Sequence, residues 1–180
     1  MPIAVIGMSL RVPGASTPAR FWRNLVEGRD CLSRLSTASL RRMGVPQHVI
    51  AHPDFVRALP KLVDADRFDA AFFDLSSSEA ETTEPAHRLF LECAWEALEG
   101  AGIVPGRRAP VIGVFGGCEG NYRENVLADI EDPLAGFNLP VRIGNAIDFL
   151  TTRVSHRLDL TGPSIAVMAA CATSLMAPTC

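Results

Sequence analysis

The stretch GPSIAVMAACATSLMA, Gly162–Ala177, sets a cysteine among residues able to activate it. Gly162 and Pro163 signal a turn, Ser164–Val167 alternate as a short buried strand does, and Ala169 and Ala170 are small enough to let backbones approach. Cys171 falls where this strand gives way to a helix that the spacing predicts to begin among Ala172, Thr173 and Ser174 and to run through Leu175, Met176 and Ala177. Hydroxyls at such a start cap free amides. A thiol at a helix N-terminus sees partial positive charge, which favours the thiolate, the nucleophilic form. Cys171 is therefore the candidate nucleophile, and covalent catalysis through its sulfur is the chemistry it offers. The competing reading of the same residue is a packed cysteine, since free cysteines are often buried and inert without a base.

The other reactive side chains form weaker patterns. The cysteines at 31, 93, 118, 171 and 180 make no CxxC pair and no zinc spacing with histidine, and an odd, scattered set fits a reducing compartment. His48 and His52 lie in a polar segment between Pro46 and Pro53 and read as solvated loop residues rather than metal ligands. His156 reads as a packing or surface residue. The glycines at 113, 116, 117 and 120 match neither GxGxxG nor a P-loop, and are expected to permit close backbone packing.

The elements that must hold Cys171 follow from local signals. Ile3–Gly7 is a short apolar run expected to be a buried first strand. Thr17 as N-cap, Pro18 at the first helical position, apolar Phe21, Trp22, Leu25 and Val26, and Gly28 as a stop predict an amphipathic packing helix. A short helix is expected over Ala38–Met43. Phe68, Phe72 and Phe73 are expected in the core, followed by a serine-capped helix. A long, largely buried helix is predicted from about Pro85 to Glu99, with Thr83 as cap and Gly100 and Gly102 ending it. Val111–Gly116 reads as a strand covered on both faces, and Asn121–Ile130 as a short helix. Ile143, Ala146, Ile147, Leu150, Val154 and Leu158 recur at three- and four-residue intervals and predict one amphipathic helix leading to the nucleophile strand. Strands alternating with helices imply an α/β layered domain.

Composition bounds the function. The 180 residues are 48% hydrophobic and 21% charged, an ordinary globular balance for one domain or part of a larger one. A net charge of −3 gives no electrostatic footprint for nucleic acid. No run approaches the roughly 18 apolar residues of a membrane span, and the N-terminus lacks a secretory pattern, so the chain is read as cytoplasmic.

The run RVSHRLDLTGPSIAVMAACATSLMA, Arg153–Ala177, resembles the active-site segment of β-ketoacyl synthases, above all the ketosynthase domains of modular polyketide synthases and polyketide/peptide hybrids. IAVIGM followed by Arg11, Pro13 and Gly14, the Pro-x-x-Phe-Trp of the first helix, and the FDAAFF run are similar to that family too. EPAHRLFLECAWEALEGAG resembles its DPQQRLLLEVAWEALEDAG, with Glu84 for Asp and Ala86-His87 for the glutamine pair, so His87 is not a family catalytic histidine. The resemblance covers nearly all of positions 3–177. It implies a thiolase-like layered sandwich built from two similar α/β halves, of which positions 1–180 supply approximately the first, incomplete, and a homodimer of the complete domain. It implies that Cys171 carries an acyl group taken from phosphopantetheine on an acyl carrier protein, with no cofactor or metal bound directly. A malonyl-type thioester then decarboxylates and condenses with that acyl group in a Claisen reaction.

In that family two downstream histidines and a lysine serve the decarboxylation and the developing negative charge, a role in which one donor is worth about 3 kcal/mol. All four histidines here precede Cys171. Met168-Ala169 and Ala172 also depart from the family signature, and Pro178 follows Ala177 where the family's helix continues, so the tail reads as a truncation, frameshift or fragment edge. The expectation is a partial ketosynthase that acylates without condensing. The alternatives are a non-catalytic fragment or dimerisation module and, more weakly, a cysteine hydrolase, which would need a histidine beside Cys171.

Overall fold

The computed structural model describes residues 3–106, 110–119 and 139–177. They belong to two compact units, Ser9–Asp64 and a second made of Met1–Met8 with Ala65–Cys180.

In the Ser9–Asp64 unit, the Thr17 hydroxyl accepts the Arg20 amide at 3.2 Å and Pro18 opens α1 (Pro18–Val26). The helix stops at Glu27, with Gly28 turning away at a φ of 61°. Its apolar side is not the packed side: Trp22 and Val26 are 67% and 69% exposed, and Asn24 is buried instead. The cause lies in Gly14, at a φ of 75°, whose carbonyl accepts the Asn24 side-chain amide at 3.0 Å. A Cβ at Gly14 would stand 2.7 Å from the Cys31 sulfur, so the turn docks the helix by its polar edge. From β1 (Ser33–Arg34) the chain enters α2 (Thr37–Arg42), capped by Ser36, then α3 (Gln47–Ile50), and returns through β2 (Ala58–Leu59) antiparallel to β1. Leu40 and Ile50 form the unit's buried apolar centre. His48 sits on the short α3 rather than in a loop, because Pro46 fits the position before a first turn. Both His48 and His52 are exposed.

The second unit carries the main core of Phe73, Leu75, Leu91, Val114, Val154 and Leu158. Phe68 stacks on Phe73 with ring centroids 5.3 Å apart. Phe72, expected inside, is half out and meets Trp95 edge-on. The Ser76 hydroxyl accepts the Glu79 amide and starts α4 (Ser77–Thr82) as expected. Thr83 does not cap the next helix. Its hydroxyl donates to the Glu79 carbonyl at 2.7 Å, closing the end of α4, and Glu84 takes the cap position of α5 (Pro85–Gly100). This helix is half-buried along most of its length, with only His87 and Leu91 fully enclosed.

The strand expected over Val111–Gly116 is paired only as β3 (Val114–Gly116), and Val111 is exposed. The single helix expected near Ile143 is two, α6 (Leu139–Asn145) and α7 (Phe149–Arg157). The break falls where the Gly144 carbonyl turns to accept the Glu84 amide and Asn145 Nδ2 donates to the Thr82 carbonyl at 2.7 Å, tying α6 to α4. Beyond α7, β4 (Ser164–Ala166) runs parallel to β3 in the register Val114↔Ser164, Phe115↔Ile165 and Gly116↔Ala166. Helix α7 packs on both strands and on α5, which is the helix-on-parallel-sheet layer expected of an α/β domain. Arg153 and Arg157 of α7 reach across to Glu79 at 3.2 and 3.1 Å and hold α4 against it.

Ile3, Val5 and Ile6 are exposed and unpaired, against the buried first strand expected of them. An apolar run becomes a strand only where a partner takes its backbone hydrogen bonds, and among the described residues none pairs here. Gly7 instead lies against α5, where an added Cβ would fall 2.1 Å from the Ala97 carbonyl oxygen. The helix expected over Asn121–Ile130 lies outside the described residues.

Candidate active site around Cys171

The strand-to-helix transition falls at Cys171. β4 ends at Ala166, a 3-10 turn spans Ala170–Ala172, and α8 (Thr173–Met176) follows. Cys171 is exposed. The bend is made by Ala170, which stands at a φ of 46°, a left-handed conformation that costs a residue with a Cβ about 1–2 kcal/mol. Thr173 holds that bend. Its hydroxyl accepts the Ala169 amide at 3.0 Å and donates to the Ala170 carbonyl at 2.8 Å. The residues before Cys171 are thus fixed from the residue two places after it.

The glycines on the neighbouring strand make the room. A Cβ on Gly117 would lie 2.1 Å from the Val167 carbonyl oxygen and 2.5 Å from the Thr173 methyl carbon. At Gly116 it would meet the Phe90 ring at 2.7 Å, and at Gly162 the Ile112 backbone at 2.4 Å. Close packing is what the glycine-rich run is expected to serve, and at positions 113, 116 and 117 it does; Gly120 lies outside the described residues. The sequence points to Thr173 as a cap. Its grip on the backbone before Cys171 and its contact with Gly117 are tertiary facts that spacing alone does not carry.

The remaining titratable groups separate from Cys171 in character. Cys118 is half-buried, and burial, with the negative charge of Glu84 adding to it, pushes its thiol up to about 11. His156 is exposed on α7. His87 is 1% exposed, its Nδ1 has no hydrogen-bond partner, and burial together with the Arg153 charge lowers its pKa to about 4, with Asp148 opposing. It is a neutral core residue at neutral pH. Among the described residues no three His, Cys, Asp or Glu side chains are placed to hold a metal ion, and no helix is long and apolar enough to cross a membrane.

The His87 environment has a measurable consequence. The unfolded chain binds this proton near pH 6.5, the folded one only near pH 4, so stability is complete above pH 6.5 and falls as the pH drops towards 4. At 1.4 kcal/mol per pKa unit the loss is about 3 kcal/mol. Urea melts at pH 7 and pH 4 are expected to show it, and His87→Gln to flatten the His87 share of that slope; an unchanged slope in the variant would refute the assignment.

Comparison with known proteins places this geometry. The family model for the β-ketoacyl synthase N-terminal domain matches residues 1–179. The chain belongs to the β-ketoacyl synthase family. Among curated relatives, a phenolphthiocerol/phthiocerol polyketide synthase from Mycobacterium tuberculosis is 44% identical over 183 residues, covering 97% of this chain and 12% of that protein. A pikromycin polyketide synthase component of Streptomyces venezuelae is 36% identical over 98% of this chain and 5% of its own length. Among solved structures, ketosynthase twelve of the bacillaene polyketide synthase from Bacillus amyloliquefaciens superposes with a TM-score of 0.78 at 33% identity, covering 92% of this chain and 29% of that one. The fold is thus the thiolase-like fold of ketosynthases, represented by a portion of it. The chain spans about an eighth or less of these curated synthases and under a third of the solved ketosynthase.

Proposed function

We propose that this β-ketoacyl synthase portion supplies the acyl-accepting cysteine of a polyketide-type ketosynthase. The Cys171 sulfur attacks the carbonyl of an acyl thioester borne on the phosphopantetheine of an acyl carrier protein. A carbon–sulfur bond forms to Cys171, the bond to pantetheine breaks, and the thiol proton of Cys171 ends on the departing pantetheine sulfur. The single observation that carries the reading is the exposed Cys171 on a bend locked by Thr173, between a parallel strand and the following helix. Decarboxylation of a malonyl-type extender and Claisen condensation of the resulting carbanion belong to the complete domain. They call on histidines that this sequence does not place after Cys171. The complete domain works as a homodimer in the cytoplasm, with Cys171 as the residue that takes up the acyl group.

A second reading, a non-catalytic assembly module, is favoured by the exposed Met168, Leu175 and Met176 around the bend. Intact-mass analysis after incubation with an acyl-pantetheine thioester separates the two. The expected result is one acyl group, mapped to Cys171 and absent in Cys171→Ser. Equal labelling of all five cysteines supports the module, and release of free acid with turnover points to a thioester hydrolase.

A further inference from the structure

Resting on the assignment of Cys171 as the acyl acceptor, we infer that Thr173 is a positioning residue for the acylation step, its hydroxyl holding the backbone bend that presents the Cys171 sulfur. Three observations converge on it. The Thr173 hydroxyl is both acceptor from the Ala169 amide at 3.0 Å and donor to the Ala170 carbonyl at 2.8 Å, so it uses its proton and a lone pair on successive residues of one bend. Between those two contacts lies Ala170 at a φ of 46°, a conformation that persists only where the surroundings over-determine it. The side chain is also wedged from outside the bend, because Gly117 leaves room for the Thr173 methyl group and no more. The short helix that follows cannot fix the sulfur by itself, since α8 is four residues long and its N-cap Ala172 offers no side-chain hydrogen bond. The restraint on Cys171 therefore comes from a hydroxyl two residues downstream, seated against a neighbouring strand.

The function of this clamp is geometric. A nucleophile held near its attack position keeps the rate advantage of orientation, and a small displacement forfeits much of it. Thr173 acts through Ala169 and Ala170 rather than by touching the thioester. Valine at 173 preserves the branched shape and removes both hydrogen bonds, whereas serine preserves the hydrogen bonds and removes the methyl group.

The test uses the 180-residue chain and its Thr173→Val and Thr173→Ser variants, with an acyl-pantetheine thioester as probe. Thr173→Val is expected to slow the limiting rate of Cys171 acylation about tenfold, as the loss of these hydrogen bonds implies, with little change in the half-saturating thioester concentration. Thr173→Ser is expected to stay within about twofold of the parent. Amide exchange at Ala169 gives the independent structural readout: faster in the valine variant, retained in the serine one. Faster exchange at Ala169 with an unchanged acylation rate overturns the inference while leaving Cys171 as the acceptor. So does a serine variant as slow as the valine one. If the parent chain shows no preference for Cys171, the acceptor assignment itself fails, and the clamp has no sulfur to serve.

Discussion

Gly117→Ala is expected to lower the rate of Cys171 acylation about a hundredfold, the loss that follows a displacement of roughly 1 Å at a reacting group. The added methyl group would stand 2.1 Å from the Val167 carbonyl oxygen and 2.5 Å from Thr173. The first of these is backbone and cannot rotate away, so β4 and the bend after it must shift. Overpacking of this kind costs about 1–3 kcal/mol in stability, occasionally more. Gly28→Ala is the control: nothing lies within 4 Å of its added carbon, and only its φ of 61° resists. That variant is expected to cost about 1–2 kcal/mol, the conformational penalty, and to leave acylation alone. Equal acylation rates in the two variants would mean that the Gly117 contact does not place the sulfur.

The second large effect lies in the core. Leu91→Ala removes a side chain that is 0% exposed at the centre of α5, among Phe73, Leu75, Val114, Val154 and Leu158. The neighbours come from a turn, a strand and another helix, so the gap does not collapse readily. The expected loss is about 3–4 kcal/mol, within the usual range for a buried leucine truncated to alanine. A chemical-denaturation midpoint measures it, and a loss below about 1 kcal/mol would place Leu91 outside the core.

Some of this architecture was legible in the residues themselves, and the reason is the range over which each signal acts. Thr17 with Pro18, Ser76 before α4 and Gly102 after α5 are decided by atoms within a turn of one another, so their types declare them. The strand and the helix that flank Cys171 are legible for the same reason, although Ile165 at the centre of that strand is 45% exposed rather than buried. The exposure of Ile3 and Ile6 was not, because burial of an apolar run depends on a partner the run does not encode. The division into α6 and α7 was hidden because the apolar spacing continues through Ala146 and Ile147 while distant Thr82 and Glu84 claim the backbone and side chain at the end of α6. Thr83 lies at the boundary its type predicts, but its hydroxyl reaches back to Glu79 and closes α4 instead of reaching forward to α5. The left-handed Ala170 has no sequence signal, because alanine seldom adopts that conformation.

Helix α1 is held by Asn24 and the Gly14 turn, while Trp22, Leu25 and Val26 face water. Attachment and oiliness are thereby assigned to opposite sides of one element. An engineer can then treat them separately: charged residues at those three outward positions would make the chain easier to keep dispersed at high concentration, with the anchoring amide left untouched.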